Sequence, residues 1–161
     1  MIGTKTDAAA YNYEVKMLQG LLILLSELPP ELPTAPWDAA QRNALIEAHI
    51  LHARNLIDFF LPGSSRRDDI RMSDFLDSEW LIIGAEKDRL AGLKPHMDKR
   101  LAHLTRQRHD EFRGWVSIVI AADLMKLNED FVRRFAHEMP EQVDWFREAV
   151  VAQGHLGLLK V

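Results

Sequence analysis

The chain contains no cysteine. Disulfides, iron–sulfur clusters, thiolate zinc sites and cysteine nucleophiles are therefore excluded, and the composition suits a reducing cytoplasm. The most apolar run, residues 17–25, is too short to span a bilayer as a helix. Asp7, Glu14 and Glu27 flank it and no small-residue cleavage pattern follows, so neither a signal peptide nor a membrane association is expected. No strand-type alternation is sustained, and there is no internal repeat or low-complexity tract. A Gly-x-Ser-x-Gly turn, a phosphate-binding glycine loop and a dinucleotide fingerprint are all missing, which sets aside serine-hydrolase and nucleotide-loop chemistry. Strong charge of one sign is missing too: at a net −4 the whole molecule is not a polycation shaped for nucleic acid.

What remains is an ordinary apolar and charged mixture. With 161 residues, 47% of them hydrophobic, the chain can bury one sizeable core without a metal or cross-link. It reads as a single helical domain over 1–161. Tyr11, Val15, Leu18, Leu22 and Leu25 recur at spacings of four and three, and Met17, Leu21, Leu24 and Leu28 form an adjacent stripe, which predicts a helix over 8–28. Pro29, Pro30, Pro33 and Pro36 then impose an extended connector. A second helix is expected from 36–38 to 61, where Pro62-Gly63 stops it. Leu45, Ile46, His49, Ile50, Ala53, Leu56, Ile57 and Phe60 fill a wide arc of that helix, with Glu47, Arg54 and Asp58 opposite. Residues 63–77, rich in Ser, Arg and Asp, read as a long loop, and Trp80–Ile83 is an apolar run of undecided type. A helical region is expected over 86–108, interrupted near Pro95 and striped with Met97, Leu101 and Leu104. A fourth helix over 110–136 carries Ile120, Leu124, Leu127, Phe131 and Phe135. A fifth, after Pro140, carries Val143, Phe146 and Val150. Together these segments predict an all-α, antiparallel helical bundle of about five helices with a long loop after the second.

The chemistry-bearing residues concentrate on the second helix. Arg54 and Asp58 stand one turn apart on a helix that is apolar on most other sides, so their charges need partners from neighbouring segments. If this helix threads the interior, the pair belongs to a polar centre. The catalytic candidates are His103, Arg54 and Asp58: His103 or His49 would act as general acid or base, and Arg54 or Arg100 would stabilise developing negative charge. His49 and His52, three residues apart, have a spacing that helix-borne metal sites use. No Glu-x-x-His motif accompanies them, and a core histidine is the commoner outcome, so neither a metal nor another cofactor is expected. Residues 94–109 hold Lys94, Lys99, Arg100, Arg106 and Arg108 against one acid, Asp98. Lys99, Arg100 and Arg106 are the anion-binding candidates. The same stretch can instead meet acids of the last helix, such as Glu138, Glu141, Asp144 and Glu148.

Three islands, His52-Ala-Arg-Asn-Leu-Ile-Asp-Phe-Phe60, Ser73-Asp-Phe75 and Ala102-His-Leu-Thr105, resemble an uncharacterised bacterial family of small all-helical proteins. The resemblance implies a helical fold and carries no activity. If the islands meet in space, Arg54, Asn55, Asp58, Asp74, His103 and Thr105 form a polar cluster between helices. Arg42-Asn43 with His49, and Arg89 with His96, are similar to the Arg and His pattern of the HEPN superfamily of prokaryotic helical RNA-processing and defence proteins. The Arg54-Asn55 helix has no His at that offset. The function these features predict is a cytoplasmic helical domain that self-associates or binds a protein partner. An RNA-directed nuclease or defence protein is one alternative, and a small-molecule or metal-binding helical bundle is another.

Overall fold

The computed structural model describes residues 3–29, 35–61, 69–76, 84–102 and 117–150, with side chains given for all but 99–102 and 117–118. All regular structure among the described residues is helical, and four α-helices with a closing 3₁₀ helix make the five-helix all-α architecture. α1 is Lys5–Glu27, α2 is Pro36–Phe60, α3 is Ala85–Ala102 and α4 is Ser117–Glu138. The closing segment is Pro140–Phe146, and a short 3₁₀ turn, Met72–Asp74, lies between α2 and α3. A capping box starts α1: the Asp7 amide donates to the Thr4 hydroxyl at 3.2 Å and the Thr4 amide donates to the Asp7 carboxylate at 2.9 Å. The Thr4 hydroxyl also donates to the Asp7 carboxylate, at 2.7 Å, and this bond, with the one from the Thr4 amide, holds the Asp7 carboxyl below its usual range. α2 starts on Pro36, whose missing N–H would have had no partner in the first turn.

Cross-helix contacts fix the directions. Glu14 of α1 meets His52 of α2, and Pro29, just beyond α1, meets Arg42. Asp58 meets Lys94 while Arg54 meets the later Asp98, and Glu86 meets Lys126 while Arg89 meets the earlier Asp123. In each pair later residues of one helix face earlier residues of the next, so consecutive helices run in opposite directions. α2 packs against α1, α3 and α4 and is the central helix. Its central character is confined to the second half. From His49 onward it buries Ile50, Ala53, Leu56, Ile57, Phe59 and Phe60, whereas Trp37 near its start is 77% exposed.

The core is aromatic. Phe131 of α4 lies 5.5 Å from Tyr11, 5.2 Å from Phe59 and 5.0 Å from Phe146, ring centroid to ring centroid. Edge-to-face pairs of this kind add about 0.5–1.5 kcal/mol each beyond area burial. Leu90 and Met97 bring α3 into the same core.

Three expectations need correction. α3 is not interrupted at Pro95 but runs through it. Pro95 and Ala91, the residue whose carbonyl it leaves unbonded, are both exposed, so water can satisfy the lost partner. In the closing segment Val143 and Val150 are 42% and 49% exposed, and Phe146 and Ala149 are the buried residues. The segment is a 3₁₀ helix up to Phe146 and α-helical over 147–150, so no single helical period runs through it and Val143 and Val150 fall off its inward face. Part of the expected loop belongs to the core: Met72, Phe75 and Leu76 are buried, and Gly3 packs so closely on the Phe75 ring that a Cβ there would meet it at 2.5 Å. The apolar run 80–83 lies outside the described residues.

Candidate functional site

A groove of about 750 Å³ opens between α1, α2, α3 and residues 69–71. Its floor is apolar, with Leu56, Phe59 and Ile70 among its lining. Its walls carry the carboxylates of Glu14, Asp58, Asp69 and Asp98 and the cations of Arg54, Arg71 and Lys94.

At its α2–α3 wall four charges interlock. The Arg54 Nε donates to Asp98 Oδ1. The Lys94 ammonium lies 3.1 Å from Asp58 Oδ1 and 3.1 Å from Asp98 Oδ2. Arg54 Nη2 approaches Asp58 Oδ2 at 3.9 Å. Arg54–Asp58 and Lys94–Asp98 are each one-turn pairs within a helix, and two such pairs face each other across the interface. The four side chains are 31–40% exposed, so the cluster sits at the mouth of the groove, in contact with water. Partial burial pushes the Asp98 carboxyl up, but hydrogen bonds from Lys94 and Arg54 outweigh it and hold the carboxyl below its usual range. Burial likewise works against the Lys94 ammonium, and the hydrogen bonds to Asp98 and Asp58 prevail and raise its pKa.

The opposite wall is set by Glu14 on α1. Its Oε2 is 2.7 Å from His52 Nδ1 and accepts from Asn55 Nδ2 at 3.2 Å. His52 is 7% exposed and stacks edge-on against Tyr13 at 5.7 Å. Below the groove Tyr11 turns its hydroxyl into the core and donates to Asn128 Oδ1 at 2.7 Å. Burial pushes that phenol well above its ordinary pKa, so it stays neutral.

The structure brings Arg54, Asn55 and Asp58 together at this groove. Asp74 serves a neighbouring segment: its carboxylate accepts from the Arg71 amide at 2.8 Å and closes the 3₁₀ turn behind the groove wall. His103, Thr105 and Arg106, and the side chains of Lys99 and Arg100, lie outside the described residues. Of the acids set against the basic stretch, Glu148 pairs with Lys16 at 3.0 Å and Glu138 with Arg134 at 2.7 Å. Lys94 pairs with Asp58 and Asp98 instead. His49 is buried in α2 and His52 is engaged with Glu14. Among the described residues no three His, Asp or Glu side chains form a metal-holding group.

Sequence reasoning did not find Glu14, Asp69, Arg71 or Lys94 as parts of one site. The Lys94–Asp98 spacing was the available signal, a one-turn pair of the same kind as Arg54–Asp58. Glu14 gives no such signal, because nothing in its own helix pairs with it. No described helix is long and apolar enough to cross a membrane. No family model matches the chain, and no curated protein or solved structure matches it.

Proposed function

We propose that this is a cytoplasmic binding domain whose groove between α1, α2, α3 and residues 69–71 holds a small polar molecule. The observation that supports this reading is the groove itself. Its volume of about 750 Å³ falls within the range of small-molecule sites. Its charged groups stand mostly on helices, which hold them more rigidly than loops would. Four carboxylates and three cations around an apolar floor select by charge position rather than by hydrophobicity. The test is chemical-shift mapping of the full chain against a library of small polar compounds. Binders should perturb amides at 54–59, 69–71 and 94–98. A folded protein whose groove amides no compound moves would overturn the reading.

Self-association is a second reading, favoured by the start of α2. Trp37 at 77% exposure and Leu51 at 41% stand two heptads apart, on one side of the helix, with the exposed Ala44 midway. A second copy of the chain covering that stripe would give a dimer that Trp37→Ala weakens. Sedimentation equilibrium showing the same monomer mass for both proteins at high concentration would remove it.

A further inference from the structure

Two of the charged groups in the groove retain hydrogen-bonding capacity. Arg54 commits its Nε to Asp98, while Nη2 comes no nearer to Asp58 than 3.9 Å and Nη1 bonds to none of the described residues. The terminal edge of the guanidinium, the part that grips a carboxylate with two parallel bonds, thus makes no hydrogen bond to the described residues and holds only the 3.9 Å ion pair with Asp58. Glu14 accepts both of its hydrogen bonds on Oε2, and Oε1 takes none from the described residues. Both residues line the groove, one on α2 and one on α1, above an apolar floor that includes Leu56, Phe59 and Ile70.

The charge balance narrows the ligand. Among the described groove charges on α1, α2 and α3, the carboxylates of Glu14, Asp58 and Asp98 outnumber the cations of Arg54 and Lys94 by one. A phosphate dianion would raise that excess to three, in a site where two carboxylates already flank Arg54. A simple cation would be drawn to the carboxylates but would leave the guanidinium edge without a partner. A molecule carrying one carboxylate and one ammonium leaves the balance unchanged and uses the hydrogen-bonding capacity that both groups retain.

Resting on the groove as a binding site, we infer that its ligand is a small zwitterion of the α-amino-acid class with an apolar body. Its carboxylate lies on the terminal nitrogens of Arg54, its ammonium on Glu14 Oε1 and its apolar part on the floor. Asp98 is a positioning residue: it anchors Nε and turns the rest of the guanidinium outward. Lys94, bonded to both Asp58 and Asp98, fixes those carboxylates so that they do not compete for the ligand's ammonium.

Calorimetry on the full chain tests this with L-phenylalanine, phenylpropionate (carboxylate only), phenethylamine (ammonium only) and inorganic phosphate, and shift mapping locates each probe. L-Phenylalanine should bind in the groove more tightly than either one-ended relative or phosphate. Arg54→Lys, which keeps the charge and loses the fork, should weaken L-phenylalanine and phenylpropionate about tenfold and leave phenethylamine unmoved. Glu14→Gln should weaken L-phenylalanine and phenethylamine and leave phenylpropionate unmoved. Circular dichroism confirms folding of each variant. If a variant unfolds, the ranking of the four probes on the unaltered protein decides. Phosphate or a one-ended probe binding in the groove as tightly as L-phenylalanine overturns the inference while the groove remains a binding site. Indifference of L-phenylalanine to both folded variants does the same. Groove amides that move for none of the four probes overturn the zwitterion, and the groove reading falls only if the wider library moves none of them either.

Discussion

Two polar regions flank Tyr11, and they are built on opposite principles. Toward the core, Tyr11 donates to Asn128, Asn128 Nδ2 reaches the Ala149 carbonyl at 3.4 Å, the Ala149 amide donates to Asn12 Oδ1 at 3.2 Å, and Asn12 Nδ2 donates to the Trp145 carbonyl at 2.7 Å. Every group in that chain is neutral, and Tyr11, Asn12 and Asn128 are all buried. Toward the groove the polar groups are charged and remain partly in water. The difference follows from desolvation. An ion removed from water costs several kcal/mol even after relaxation, whereas a neutral amide with its hydrogen bonds made costs little. The interior therefore uses amides and a phenol to dock the closing segment onto α1 and α4. Charges are placed at the mouth of the groove, where water lowers their cost and an incoming molecule can reach them. The first region is closed to water, and the second stays open to it.

The comparison breaks if the buried network proves energetically minor. Asn12→Ala removes the side-chain partners of the Trp145 carbonyl and the Ala149 amide at once, one of these bonds buried and the other partly buried. The expected loss is about 2–4 kcal/mol in urea unfolding, with near-native helicity retained. A loss below about 0.5 kcal/mol, the size of a surface substitution, would refute the assignment. Tyr11→Phe is a finer version, since it deletes one hydroxyl and its bond to Asn128 Oδ1, and about 1–2 kcal/mol is expected. On the groove side Lys94→Met removes the ammonium that joins Asp58 to Asp98. With these side chains about one-third exposed, solvent screening limits the loss to about 0.5–1 kcal/mol. Ionic strength separates the two regions further. Added salt should shrink the effect of Lys94→Met and leave that of Asn12→Ala unchanged.

How much of this was readable in the chain differs between the same two regions. Helices α1 and α2 announce themselves through apolar spacing and the prolines around 29–36, and Arg54 with Asp58 stands out because a charged pair interrupts an apolar helix. Tyr11 and Phe131 belong to stripes that periodicity detects. Asn12 and Asn128 do not, because an amide beside an apolar stripe looks like the edge of a solvated face until its distant partner is known. The closing segment misled for a local reason: it passes from 3₁₀ to α-helix at Phe146, so no one spacing marks its buried positions, Phe146 and Ala149. Pro95 misled because a helix tolerates a proline where the orphaned carbonyl faces water. Of the groove, only Arg54, Asn55 and Asp58 were readable; its assembly was not. It depends on which helix pairs with which, and Glu14, Arg54 and Lys94 are brought together only by the packing of α1 and α3 against α2.

The smallest expected effect concerns acid. Asp98 has its carboxyl held below the usual range chiefly because the bonds from Lys94 and Arg54 outweigh its burial, so its folded pKa lies under its unfolded one. A group of that kind contributes stability that is fully present above the unfolded pKa and is lost as pH falls through the folded value. The network around Asn12 contains no carboxylate and contributes nothing to that slope. Stability should thus be insensitive to this carboxyl above about pH 5 and decline below about pH 4. Asp7, held low by Thr4, and Glu86, held low by Lys126, add to the decline. Asp98→Asn isolates the groove's share: its stability should differ from the parent at neutral pH by less than about 1 kcal/mol, and the difference should narrow as the pH is lowered toward 3. Chemical denaturation of both proteins between pH 3 and 7 measures it. A gap that widens on acidification would mean that the carboxylate is strained in the cluster rather than held by it, and Lys94 and Arg54 would then have to be read as partners of something other than Asp98.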